Sequence, residues 1–114
     1  MSVSMITTDK ILDLSQTTFN AELARSTLPL LIDFTANWCP PCRLLVPHLS
    51  AIAESYAGRL RVAQVNSDDN PLLTERFGVM SVPTLLLLKN GVVVGQIVGA
   101  VPRARIEELI QRAL

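Results

Sequence analysis

Trp38-Cys39-Pro40-Pro41-Cys42 contains both cysteines of the chain, three positions apart. Two thiols at this spacing can close a small disulfide ring and open it again by thiol exchange. A nearly all-apolar run, residues 28–35, precedes the motif, and a helix-like segment follows it. Val82-Pro83-Thr84 lies further downstream. The combination predicts a dithiol–disulfide oxidoreductase.

Outward from the motif, local patterns predict the elements. Leu45, Leu49, Ile52, Ala53 and Tyr56 repeat at helical spacing, and Gly58 can end that helix. Pro47 lies inside it and removes a backbone donor, which predicts a kink. Upstream, residues 28–35 suit a central strand covered on both faces. Residues 10–14 read as a short strand, and Ser15 or Thr17 as the cap of a helix reaching about Ser26. Downstream, residues 60–66 read as a strand, and Asn70-Pro71 as a cap and first-turn proline opening a helix to about Phe77. Residues 82–88 and 92–98 flank Asn90-Gly91, a strong hairpin signal. The last helix spans residues 103–114, with Ile106, Leu109, Ile110 and Ala113 as its apolar stripe and Glu108 to Arg112 as a favourable pair. Helix-linked strands favour parallel pairing, whereas a hairpin is antiparallel. The predicted class is α/β, a mixed sheet of about five strands flanked by about four helices. Residues 1–9 read as a flexible N-terminus, and residues 10–114 as a single domain.

Composition narrows the function. The chain has 114 residues, 49% hydrophobic and 18% charged, enough for a real core. Ten basic and ten acidic residues cancel. That argues against nucleic acid or anionic membrane as a bulk-charge partner. Residues 1–10 lack a basic stretch followed by an apolar one, so they do not read as a signal peptide. No apolar run approaches the roughly 20 residues that span a bilayer. Two cysteines are too few for a disulfide scaffold, so the expected setting is reducing and cytoplasmic. A monomer is the default state, because the polar helix faces show no second large apolar stripe. Structural zinc usually takes four ligands, and only His48 remains beside the two cysteines among the softer ones, so no metal is expected.

The chemistry centres on Cys39. At a strand-to-helix turn it would cap a helix whose free N–H groups favour a thiolate. Cys39 is therefore expected to be the exposed attacker, and Cys42, one turn deeper, the resolving thiol. Asp33 is a carboxylate inside an apolar strand, where burial raises the pKa. Local sequence leaves two readings open, a buried proton acceptor or a rim aspartate bonded to backbone. For Pro83, local sequence alone favours an ordinary strand-start proline.

Asp33-Phe34, the Trp38–Cys42 motif, Pro47, Asp68-x-Asn70-Pro71, Val82-Pro83-Thr84, Lys89-Asn90-Gly91 and Val98-Gly99-Ala100 occur in one order along the chain. In this set the chain resembles the thioredoxin family over residues 10–114, without an insertion. The resemblance implies the thioredoxin fold. It implies attack by Cys39, resolution by Cys42 and Asp33 as proton acceptor. It also implies a cis Pro83 beside the disulfide, excluding metal and leaving the Val82 backbone free for an extended substrate. Trp38, Pro41, Met80, Ser81, Val82, Gly99 and Ala100 would ring Cys39 as an apolar rim for docking proteins. Gly99 is expected to mark a close backbone approach.

The implied activity is protein-disulfide reduction with no cofactor beyond the redox-active disulfide. Electrons would come from a thioredoxin-reductase-like donor and pass to disulfide-containing client proteins. Two alternatives stand beside it: a thiol oxidase or isomerase, and a non-catalytic thioredoxin-fold binding subunit. A pure scaffold needs none of Cys39, Cys42, Asp33 and Pro83. Three positions depart from the family pattern. Pro40 replaces the usual glycine and is expected to stiffen the loop and shift the potential. Thr35 stands where many members have tryptophan. Gln64 stands where a lysine often neighbours the aspartate, which should make Asp33 harder to ionise.

Overall fold

The computed structural model describes residues 11–114. The predicted N-terminal segment 1–9 lies outside the described residues. The elements are β1 (Ile11–Asp13), α1 (Phe19–Ala24), β2 (Leu30–Thr35), α2 (Pro40–Ser55), β3 (Arg61–Asn66), α3 (Pro71–Arg76), β4 (Thr84–Lys89), β5 (Val92–Val98) and α4 (Arg103–Ala113). They form one five-stranded sheet in the order β1-β3-β2-β4-β5. β1, β3 and β2 run parallel, as their helical crossovers require. β4 and β5 add to β2 as an antiparallel hairpin.

β2 has strands on both sides and helices on both faces, which is why its sequence is apolar almost throughout. On one face Leu31, Val62, Leu85, Leu87 and Ile97 pack with α2 through Leu45, Leu49 and Ile52, and with α4 through Ile106, Leu109 and Ile110. On the other, Leu30, Ile32, Phe34, Ala63, Val65, Leu86 and Leu88 pack with Phe19 of α1 and Leu73 of α3. Side chains alternate along a strand. Asp33 therefore shares the face of Leu31, toward α2.

The differences from the sequence reading lie mostly at element ends. α1 stops at Ala24 because the chain turns there into β2, with the Leu28 N–H donating to the Ser26 hydroxyl at 3.1 Å. Ser15 and Thr17 do not cap α1. The cap residue is Thr18, without a side-chain cap bond, and the Ser15 hydroxyl is tied to the Thr17 and Thr18 hydroxyls instead. Asn70 begins α3 without a side-chain cap bond. Its Oδ1 accepts from the Gln16 N–H at 2.9 Å, and its amide donates to the Asn66 carbonyl at 2.9 Å. It thus ties the segment after β1 to the end of β3. β4 begins at Thr84, leaving Val82 and Pro83 outside the ladder. α2 continues through Pro47 without a break. The hairpin follows its signal, with Asn90 at φ 54° and Gly91 at φ 79°, both positive as a type I′ turn requires.

Candidate active site

The site forms where β2 hands the chain to α2. Cys39 is the N-cap of α2, with extended backbone. Pro40 and Pro41 occupy the first helical positions, where a missing N–H costs nothing. The first donor the helix offers inward is therefore the Cys42 N–H, and it donates to Cys39 Sγ at 3.2 Å. Cys39 and Cys42 are joined in a disulfide, their Cα atoms 5.3 Å apart. Here one expectation needs correction. Cys39 is not exposed in this oxidised form; both cysteines show only 2% of their surface. Ala36 and Val82 pack around the disulfide and cover it. What distinguishes the two sulfurs is the helix-cap donor on Cys39.

The Val82–Pro83 peptide is cis, against the reading from local sequence and in line with the resemblance. The Val82 carbonyl oxygen lies 3.8 Å from Cys39 Sγ. Among the described residues no group bonds the Val82 backbone N–H. The Gly99 N–H donates to the Pro83 carbonyl at 2.8 Å, joining the end of β5 to this loop. Gly99 is not a site of close approach, because a Cβ there would meet nothing within 4 Å. It is needed for its left-handed backbone at φ 94°. The close approach occurs at Gly95, where a Cβ would collide with the Leu109 side chain of α4.

The predicted rim is apolar and largely open. Trp38 is 66% exposed and Met80 is 96% exposed. Pro41, Ser81 and Ala100 are exposed as well, and Val82 is half-buried. The Trp38 indole N–H donates to Asp68 Oδ2 at 2.8 Å, which fixes the ring. Asp68 was visible as part of a motif, but nothing in the sequence linked it to Trp38 across 30 positions. Thr84 Oγ1 donates to the Ser81 carbonyl at 2.7 Å, and the Arg43 guanidinium donates to the Asn37 carbonyl at 2.8 Å. These two bonds brace the loops on either side of the disulfide, and neither has a sequence signature.

Asp33 is completely buried. Gln64, directly across the parallel β2–β3 ladder, donates to Asp33 Oδ2 at 3.4 Å. Asp33 Oδ1 is buried and has no partner among the described residues. Burial pushes the Asp33 pKa up to about 6, and the Gln64 hydrogen bond only partly opposes that rise. This discards the reading of Asp33 as a rim aspartate bonded to backbone. Gln64 also lines a polar cavity of about 610 Å³ at the carboxyl ends of β1, β2 and β3, together with Thr35, Asn37 and Asn66. Thr35 and Gln64 thus line the same cavity. Among the described residues no group of three or more His, Cys, Asp or Glu side chains is arranged to hold a metal. No helix among them is long and apolar enough to cross a membrane.

Comparison with known proteins agrees with this geometry. The family profile described as Thioredoxin matches residues 10–112. The chain is 39% identical over 100 residues to Thioredoxin 1 of Nostoc sp., covering 88% of this chain and 94% of that protein. It is 38% identical over 112 residues to Thioredoxin of Porphyra purpurea, covering 98% and 97%. It is 38% identical to Thioredoxin 1 of Synechococcus elongatus over 114 residues, the full length of both.

Proposed function

The chain belongs to the thioredoxin family, and we propose that this protein-disulfide oxidoreductase works as a general reductase of client proteins. The observation that carries the reading is the Cys42 N–H held on Cys39 Sγ at the start of α2. In the reduced protein that donor and the helix terminus stabilise a Cys39 thiolate. The thiolate attacks one sulfur of a client disulfide. A mixed disulfide forms, and the client's other sulfur leaves as a thiolate that takes up a proton. Cys42 then gives its proton to the Asp33 carboxylate and attacks Cys39 Sγ. The bond to the client breaks, the second client sulfur leaves as a thiolate that takes up a proton, and the Cys39–Cys42 disulfide closes. The client gains two electrons and this protein loses two.

Asp33 suits the acceptor role because it sits on the α2 face of the sheet with a pKa of about 6, close to working pH. The free Val82 N–H and the carbonyl beside Cys39 suit an extended client segment that adds to the backbone as a short strand. Trp38, Pro41, Met80, Ser81, Gly99 and Ala100 supply the apolar rim around it. Electrons return from an external thioredoxin-reductase-like dithiol donor, no other cofactor is needed, and the place of work is the cytoplasm. The protein acts as a monomer.

Trapping tests the assignment. Cys42→Ser should accumulate a mixed disulfide with an oxidised protein client such as insulin, joined through Cys39 and visible by mass spectrometry. Cys39→Ser should accumulate none. Equal trapping by both variants would overturn the roles given to the two cysteines.

A further inference from the structure

We propose that Met80 is an oxidation site. Hydroperoxides convert its thioether to the sulfoxide while the cysteine pair stays protected as a disulfide, and the change weakens the capture of protein clients. The inference rests on the reductase reading and adds a reversible modification to the same rim.

Three methionines and two cysteines are the sulfur-bearing residues of the chain. Met1 and Met5 lie outside the described residues. In the oxidised protein Cys39 and Cys42 are joined to each other, each with only 2% of its surface open, and no free cysteine remains among the described residues. Met80 is 96% exposed. It is therefore the one solvent-open sulfur among the described residues. Oxidant that meets the protein in this form finds a thioether in water and a disulfide under cover, and exposure favours the thioether.

The place of Met80 gives its oxidation a consequence. It stands on the loop between α3 and β4, three positions before Pro83. With Trp38, Val79 and Val82 it walls a small cavity, which Ser67, Thr74 and Ser81 also line. The Val82 carbonyl lies 3.8 Å from Cys39 Sγ. A client segment laid along Val82 toward Cys39 therefore passes within two residues of Met80. A small disulfide compound that reaches Cys39 needs none of that surface.

The step balances on one hydroperoxide. The thioether sulfur attacks the hydroxyl oxygen of the peroxide, the S–O bond forms and the O–O bond breaks. The proton of that hydroxyl passes to the departing oxygen, which leaves as water or an alcohol. Met80 loses two electrons and the peroxide gains them. The product is a polar, chiral side chain in place of a flexible apolar one. A client that covers the sulfoxide must strip water from its oxygen or supply a donor, a demand the thioether does not make.

The test exposes the oxidised full chain and Met80→Leu to hydrogen peroxide, removes the peroxide, and compares each protein with its own untreated sample. Mass spectrometry of peptides should place one added oxygen on Met80, with Cys39 and Cys42 still joined. For the full chain, kcat/KM with insulin should fall about fivefold, the low end of the cost of burying an unpaired polar group. Reduction of hydroxyethyl disulfide should hold its rate. Methionine sulfoxide reductase with dithiothreitol, then removed, should restore insulin reduction. Met80→Leu keeps Met1 and Met5, and its treated and untreated rates with insulin should agree whatever their level. Four results would overturn the proposal: no oxygen on Met80, full insulin activity in the sulfoxide form, a loss that the repair enzyme does not reverse, or an equal loss with hydroxyethyl disulfide or in Met80→Leu. In all four the untreated protein still reduces insulin, and the reductase reading stands. Untreated protein that leaves insulin oxidised would overturn both.

Discussion

Gln64 donates to Asp33 Oδ2 at 3.4 Å, while the other carboxylate oxygen of Asp33 lies buried without a partner among the described residues. Among the described residues a neutral amide is thus the side-chain hydrogen-bond partner of the buried acid. It offers a hydrogen bond and no charge, and the carboxyl stays hard to ionise, with a pKa of about 6.

The first prediction concerns rate. Asp33 accepts a proton only when ionised, so the resolving step should rise with pH and level off above about 6. Asp33→Asn should slow that step roughly 10- to 100-fold near pH 7, at the low end of general-base contributions, and remove the rise. Stopped-flow decay of the mixed disulfide against pH reads both effects. A variant that keeps the same midpoint would rule out Asp33 as the acceptor.

The second concerns stability, and its sign follows from the same shift. The folded pKa, about 6, lies above the unfolded value of 3.8. Between those values the folded protein holds a proton that the unfolded chain has released. The stability from the neutral carboxyl is fully present below pH 3.8 and is lost as pH rises through about 6. The loss is at most about 3 kcal/mol. Asp33→Asn should therefore be more stable than the parent at pH 8, by about 1–3 kcal/mol, with much less difference at pH 4. Urea unfolding at the two pH values checks this, and an equal difference at both would contradict it.

The third prediction concerns Gln64. A lysine there would place a cation beside Asp33 and lower its pKa. Gln64→Lys should move the rising limb of the pH–rate profile to lower pH and speed resolution below pH 6. An unchanged profile would mean that Gln64 does not set the ionisation of Asp33.

The fourth concerns Pro40. It holds the first turn of α2 in helical geometry and so keeps the Cys42 N–H on Cys39 Sγ. Pro40→Gly should loosen that donor, weaken the thiolate and make the protein more reducing by about 20–30 mV, where about 30 mV corresponds to 1.4 kcal/mol. Equilibration against glutathione buffers measures it. A shift toward more oxidising values would reverse the proposed role.

The fifth is structural. Gly95 passes so close to α4 that a Cβ would strike Leu109. Gly95→Ala should destabilise the fold by about 1–3 kcal/mol through forced repacking. Gly91→Ala should act through backbone strain instead, since its Cβ would make only ordinary contact with Leu23 at 3.8 Å while φ is 79°. Thermal unfolding of the pair, combined with Leu109→Ala, separates the mechanisms. Only the Gly95 cost should shrink when Leu109 is truncated.

Much of this architecture was legible in the chain because its signals are local. The apolar run of β2, the helical stripe of α2, the Asn90-Gly91 turn and the cysteine spacing each act within a few residues. Asp33 was legible as an anomaly, a carboxylate in an apolar strand. Its face needed strand register, and Gln64 as its neighbour came only through the resemblance, since no local pattern carries either. The cis state of Pro83 was legible only through resemblance. The cap bonds failed for two reasons: the Ser15 hydroxyl is spent on its neighbours Thr17 and Thr18, while Asn70 holds the N-cap position of α3 but its side chain accepts from the Gln16 N–H and donates to the Asn66 carbonyl. Gly99 was misread because a glycine letter does not tell crowding from a left-handed backbone. The Trp38–Asp68 bond and the unpartnered Ser67 hydroxyl depend on loops meeting in space, and sequence spacing does not encode them.

The measurement that bears most directly on the central claim is the reduction potential of the Cys39–Cys42 couple, set by glutathione equilibration with free thiols counted by mass spectrometry. The account predicts a reductant, within a few tens of millivolts of the roughly −270 mV typical of thioredoxin. A value near roughly −120 to −180 mV, the range of oxidases and isomerases, would contradict it.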